Sequence, residues 1–129
     1  MAKKPYIWAE RPTVLSAMRK AFRRYPPYQE VLKRNKSVWY QECKNGKKRK
    51  RVHFQCEECD ARVSAKEYAV DHKYPVIDPS VGFVDYNTYA RRLFCPIENL
   101  QGLCYACHKE KCRLETKERA KSRKEKKNV

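Results

Sequence analysis

No apolar run in this 129-residue chain approaches the roughly 18 residues needed to cross a bilayer. That excludes a membrane-spanning helix and makes a membrane surface the weaker explanation of the charge described below. No apolar segment follows the Met1-Ala2-Lys3-Lys4 start, so a secretory leader is not expected and the cytoplasm is the expected compartment. Acidic residues are scarce, with 15 Asp+Glu against 31 Lys+Arg and a formal net charge of +16. An excess of that size points to a polyanionic partner, nucleic acid before an anionic membrane. Internal repeats are absent. The length suits one domain, and the 41% hydrophobic content includes many Ala, Tyr and Cys. A core that small commonly needs a metal or a cross-link.

Cysteine is abundant and odd in number, at seven. Cys56, Cys59, Cys104 and Cys107 form two Cys-x-x-Cys pairs, while Cys43, Cys95 and Cys112 are scattered. In a reducing compartment this pattern favours metal over disulfides.

The N-terminal region reads as helical. Thr13 is placed to cap a helix over residues 14–25, whose Leu15, Met18, Phe22 and Tyr25 share one face. Arg19, Lys20, Arg23 and Arg24 fall elsewhere on that helix, as a solvated side or a DNA contact. Pro26-Pro27 ends it, and a short helix over 28–34 follows. Val38 to Lys44 and Lys47 to Phe54 read as a β-hairpin, with Asn45-Gly46 as a type I′ turn. Lys44, Lys47, Lys48, Arg49, Lys50 and Arg51 crowd its tip. Six basic residues among eight suggest phosphate contact rather than a plain solvated turn.

After the first cysteine knuckle, Ser64-x-x-Glu67 has the form of a capping box, but too little helix follows it. Tyr68 to Val70 reads as a strand delivering Asp71 and His72. Pro75, Asp78-Pro79-Ser80 and Gly82 mark a loop. Asp85 can cap a helix carrying Tyr86, Tyr89, Ala90 and Leu93 on one face, ended by Phe94-Cys95-Pro96. Asn99 to Leu103 suits a second short strand, and a helix from Tyr105 runs toward the tail. Residues 115–128 are charged, and frayed or disordered order is expected there without a partner.

Two sites can be drawn from these residues. Paired Cys-x-x-Cys is the common donor set for tetrahedral structural zinc, so Cys56, Cys59, Cys104 and Cys107 are expected to meet in space. Cys104-Tyr-Ala-Cys107-His108 also has the c-type haem attachment spacing, but that reading leaves Cys56 and Cys59 idle and requires export. The second set is Asp71, His72, Asn99 and His108. Phosphodiester hydrolysis needs a base for water and a cation for the developing charge. His72, with an ordinary pKa of about 6.5, suits the base, and Asp71 and His108 suit metal ligation. Asn99 suits either ligation or tying down the loop that orients His72. An isolated Asp-His pair is usually a surface turn; here both histidines lie beside the cysteine set in a basic chain.

The run Cys-x-x-Cys, Val70-Asp71-His72, Glu98-Asn99-Leu100-Gln101-x-Leu103-Cys-x-x-Cys-His108-x-x-Lys111 resembles the zinc-containing HNH endonucleases of bacteriophages and prophages over residues 54–111. The resemblance implies a small α+β fold of the ββα-metal kind, stapled by a Cys₄ zinc and holding one divalent cation such as Mg²⁺, Mn²⁺ or Ni²⁺. It implies His72 as general base, Asp71 and His108 as cation ligands, and Asn99 as the middle residue of the motif. Lys73 stands where that family often has an aliphatic residue, a departure that would either alter packing under His72 or add a phosphate contact. The expected organisation is an N-terminal helix and basic hairpin (1–53), a nuclease core (54–114) and a basic tail (115–129). The expected activity is metal-dependent cleavage of DNA, with Lys47, Lys48, Arg49, Lys50, Arg51 and Lys73 on the backbone. Double-strand cleavage would need a dimer on DNA or successive nicks. The alternatives are a zinc-stapled nucleic-acid-binding module without catalysis, or an accessory nuclease of a phage packaging terminase.

Overall fold

The computed structural model describes residues 10–127, so the ends of the expected N-terminal extension and tail (1–9 and 128–129) lie outside the described residues. Among them are four α-helices and two small antiparallel sheets, an α+β arrangement. None of these helices is long and apolar enough to cross a membrane.

Helix α1 spans Arg11–Phe22 and begins earlier than the sequence suggested. Pro12 explains the difference. It sits in the first turn, where its missing N–H costs nothing and its fixed φ is already helical. Thr13 therefore falls inside the helix, and Glu10 precedes it without a side-chain cap. The helix also ends three residues before the expected Tyr25, tightening through Arg24 N to Ala21 O and Tyr25 N to Phe22 O. The same property of proline corrects a second expectation. Pro26-Pro27 does not merely end α1; it opens α2, Pro26–Asn35.

Strands β1 (Lys36–Glu42) and β2 (Lys48–Gln55) form the expected hairpin, paired from Lys36↔Phe54 to Glu42↔Lys48. The turn is not type I′. Cys43 N donates to Lys47 O at 2.9 Å and Gly46 N to Cys43 O at 3.0 Å, and only Gly46 has positive φ. These bonds make a three-residue loop with glycine in the left-handed position. The two-residue β3 (Arg62–Val63) pairs with β2.

Strands β4 (Tyr68–His72) and β5 (Leu100–Cys104) form the second sheet, with Tyr68 opposite Cys104 and His72 opposite Leu100. Between them lies α3 (Tyr86–Leu93), capped as expected by Asp85, whose Oδ1 accepts from Thr88 N at 2.6 Å. After β5 the chain turns directly into α4, Tyr105–Lys127. The charged stretch expected to fray is helical through Lys127. It contains neither Gly nor Pro, and Lys111–Glu115 at 2.6 Å adds an i,i+4 pair. Further along, Ser122 Oγ donates to Ser80 O at 2.7 Å, tying α4 to the loop before α3.

The main core joins both halves of the chain. Leu15 and Phe22 of α1 and Val31 of α2 pack with Tyr89, Leu93, Cys95 and Leu100. The helices of the expected 1–53 extension thus supply three of seven buried residues in the cluster under β5. Tyr25 reinforces that join, donating from its hydroxyl to Cys95 O at 3.0 Å. A second, smaller cluster holds Cys56, Leu103 and Cys104.

Candidate functional site

The two knuckles meet at one end of β4–β5. One Sγ atom from each of Cys56, Cys59, Cys104 and Cys107 lies within 4.8 Å of the others, and Cys59 Sγ is 3.6 Å from Cys104 Sγ. Thiolates about 2.3 Å from a tetrahedral zinc stand roughly 3.8 Å apart, so this donor set fits a structural metal such as zinc. The first knuckle is built by Asp60 N to Cys56 O at 3.0 Å and Cys56 N to Ala61 O at 2.8 Å, with Asp60 in the left-handed region. Burial works to raise the Cys56 thiol, but backbone N–H groups at Cys104, Cys59 and Glu58 outweigh it and bring it down to about 7. Cys107 moves the other way, because its hydrogen bonds with the Cys104 and Cys59 thiols favour a retained proton. Four crowded sulfurs cannot all ionise without a cation between them. No disulfide forms among the described residues.

Glu57, inside the first Cys-x-x-Cys, clamps this cluster to the rest of the molecule. Its carboxylate accepts from Arg34 at 2.7 Å, from Asn35 at 2.9 Å and from Gly102 N. Its own N–H donates to Gly102 O at 2.8 Å. Partial burial opposes ionisation, yet the Gly102 N–H and the Arg34 and Asn35 side chains hold the carboxyl below its ordinary range.

At the other end of the sheet, adjacent residues of β4 face different elements. Asp71 turns to α4 and β5. Its Oδ1 is 3.7 Å from His108 Nε2, and its Oδ2 accepts from Lys111 Nζ at 3.0 Å and Gln101 Nε2 at 3.1 Å. Two ligand atoms each about 2.1 Å from a shared cation stand roughly 3–4 Å apart, so Oδ1 and Nε2 can hold one ion between them. Asp71 is only 12% exposed, and His108 is 35% exposed. Cys112 Sγ lies 3.8 Å from the same His108 nitrogen.

His72 turns to the helices. Its ring packs 4.8 Å from Phe22, and Nε2 is 2.9 Å from Leu93 O. A carbonyl oxygen can only accept, so Nε2 carries the proton and Nδ1 keeps the lone pair. Burial lowers the His72 pKa; Leu93 O and Asp71 oppose this, and Lys111 adds to it. The ring is therefore neutral at pH 7, the form able to accept a proton.

Asp71, His72 and His108 line one open cleft of about 580 Å³, rimmed by Arg19, Arg23 and Arg119. Asn99 is not among its lining residues. Asn99 Oδ1 accepts from Tyr74 N at 3.0 Å and its carbonyl from Lys73 N at 2.7 Å, so it fastens the chain leaving His72. Of the two roles open to Asn99 in the sequence, these bonds belong to the second. Lys73 is exposed and shares a neighbouring hollow with Asn99. Lys47, Lys48, Arg49 and Lys50 are exposed at the hairpin end, and Arg51 is partly covered, its Nε donating to Gln41 at 2.9 Å.

No family model matches the chain, and no curated protein or solved structure matches it either.

Lys111 stands in the sequence motif but was given no role there. Its ammonium bridges Asp71, Glu115 and the His72 carbonyl, the last at 2.8 Å. Its spacing from His108, i to i+3 on one helix, was the available signal.

Proposed function

We propose that this chain is a metal-dependent endonuclease of the HNH type that hydrolyses DNA phosphodiester bonds, with a zinc ion on Cys56, Cys59, Cys104 and Cys107. The observation that carries the reading is the cleft itself. A carboxylate–imidazole pair 3.7 Å apart and a neutral, hydrogen-bonded histidine share it with three arginines. That combination offers a cation seat, a base and phosphate contacts together.

Asp71 and His108 would hold one divalent cation, Mg²⁺, Mn²⁺ or Ni²⁺, whose charge when bound offsets that on the scissile phosphate and leaving oxygen. Lys111 and Gln101 hold Asp71 Oδ2, which leaves Oδ1 for the cation side. His72 takes a proton from water at Nδ1, while Leu93 O fixes its tautomer. The hydroxide attacks phosphorus in line, and the 3′-oxygen leaves. Asn99 keeps the backbone after His72 in place. Arg19, Arg23 and Arg119 hold the flanking phosphates, and Lys73 and the hairpin extend that grip.

Nicking of supercoiled plasmid in EDTA and across a metal series tests the reading. Cleavage should be absent in EDTA, return with a divalent ion, and be abolished by His72→Ala with zinc content and DNA affinity retained. Wild-type nicking by His72→Ala would remove His72 as base. Tight DNA binding without cleavage under any metal would leave a zinc-stapled binding module instead.

A further inference from the structure

The β1–β2 hairpin extends beyond its base as a ribbon whose β1 strand and tip are exposed among the described residues. Its base is held by buried Phe54, stacked on Tyr68 at 5.2 Å. Beyond that anchor, β1 is almost wholly exposed, and it includes Val38, Trp39 and Tyr40 at 46%, 42% and 62% exposure. Core packing does not account for these side chains.

The register sorts the ribbon into two faces, because directly paired residues share a side. Tyr40 pairs with Lys50 and Glu42 with Lys48 on one face; Trp39 pairs with Arg51 and Gln41 with Arg49 on the other. Toward the tip, each face therefore carries an aromatic ring and two cations, and Lys36 adds a third cation at the base of the Tyr40 face. Residues 36–54 hold seven Lys+Arg (Lys36, Lys44, Lys47, Lys48, Arg49, Lys50, Arg51) against the single acid Glu42. One face is also pre-set: Trp39 Nε1 donates to His53 Nδ1 at 3.2 Å, and Arg51 to Gln41 at 2.9 Å.

We propose that this ribbon enters the major groove of B-form duplex DNA, with Lys48 and Lys50 on one phosphate wall and Arg49 and Arg51 on the other. The proposal rests on the DNA reading above and names how the duplex is held. Cations on opposite faces meet opposite walls when the ribbon enters edge-first, and its thickness with side chains on both faces, on the order of 10 Å, suits a major groove about 12 Å wide. The distribution of charge decides between polyanions. A single strand tracks one basic face with its bases on aromatic platforms, so it has no use for cations on the opposite face. A-form RNA presents a deep, narrow major groove that excludes a ribbon. A second copy of the ribbon would bring like charges together.

The test is equilibrium binding without added Mg²⁺, Mn²⁺ or Ni²⁺ and without chelator, in a His72→Ala background, to a short DNA duplex, the matching single strand and the matching RNA duplex. Lys48→Ala/Lys50→Ala and Arg49→Ala/Arg51→Ala should each weaken duplex DNA binding on the order of 50-fold at about 0.1 M salt. Each pair should make the log–log salt slope shallower by about two, since each neutralised phosphate contributes roughly 0.9. None of the four side chains belongs to either buried cluster, so zinc content and unfolding midpoint should hold. Methylating guanine N7 in the major groove should also weaken binding. Dependence on one face alone, tighter binding of single strand or RNA, or variants that change only self-association on sedimentation would each overturn the proposal. A chain that binds through the ribbon but never cuts overturns the nuclease reading and leaves this one standing. A chain that cuts with affinity indifferent to the ribbon does the reverse.

Discussion

Gly102→Ala is the sharpest stability test the fold offers. Gly102 lies mid-strand in β5, opposite Val70, and the Tyr68 ring crosses directly over it. A Cβ added there would stand 1.6 Å from Tyr68 Oη, 2.5 Å from Tyr68 Cζ and 3.0 Å from Asn35 Nδ2. The backbone cannot recoil, because Gly102 N and O are both bonded to Glu57. Tyr68 must move instead. It would lose the 2.9 Å bond from its hydroxyl to Gln55 O, worth about 1 kcal/mol, and its stack on Phe54, worth about 0.5–1.5 kcal/mol. Residual overpacking adds about 1 kcal/mol, and the entropic gain of alanine over glycine in a strand returns about 0.5–1 kcal/mol. The net loss is about 1.5–3 kcal/mol, a fall in Tm on the order of 10 °C for a domain of this size. Thermal and urea unfolding in zinc-containing buffer would measure it. Tyr68→Ala removes the obstacle, so Gly102→Ala should cost nothing further in that background, giving a coupling energy of about 2 kcal/mol. A Gly102→Ala protein within about 0.5 kcal/mol of wild type, or strictly additive with Tyr68→Ala, would refute the reasoning.

Cys104→Ser should abolish binding of one equivalent of zinc and remove the cooperative unfolding transition, because the second cluster has little but Leu103 and Val63 to hold it otherwise. Native mass spectrometry and calorimetry check both, and retained metal with an unchanged midpoint would contradict the staple. His72 should titrate below its ordinary 6.5 by NMR, because the fold favours the neutral ring. With its folded pKa lowered, the unfolded chain binds the extra proton first, so the stability His72 contributes is complete above about 6.5 and is lost as pH falls toward the folded value. Wild type should therefore lose stability relative to His72→Asn over that window, and parallel curves or a midpoint above 6.5 would be contrary.

Legibility in the sequence followed the range of the forces involved. The hairpin, β4, α3, β5 and the start of α4 came through because periodicity and turn residues act locally, whereas the two-residue β3 was not expected. The boundaries that moved were set by competing local rules. Pro12 and Pro26-Pro27 open helices as readily as they end them, and the bond between Cys43 and Lys47 turned an Asn-Gly dipeptide into a longer loop. Asp71, His72 and His108 were visible because their residue types are chemically rare in that spacing. Glu57 was invisible: within a Cys-x-x-Cys it looks like filler, and only the tertiary fold brings it to Arg34, Asn35 and Gly102. Gln101 stands in the motif, but its bond to Asp71 was hidden for the same reason, since it depends on the β4–β5 register.

The adjacency of Cys107 and His108 follows from how α4 is held. None of the described residues of α4 is fully buried, so packing alone fixes neither its rotation nor its axial position. Its first turn is fixed by Cys107 in the thiol cluster, with Cys104 at the end of β5. Successive helical residues point about 100° apart. Pinning Cys107 therefore sets the direction of His108, and one turn further on that of Lys111. Those two meet the two oxygens of Asp71 separately, at 3.7 and 3.0 Å. A metal on the four thiols would thus govern the geometry of the carboxylate–imidazole pair without touching it. Sequence adjacency is the shortest mechanical link between a staple and a site, and it explains why the second knuckle runs straight into a histidine.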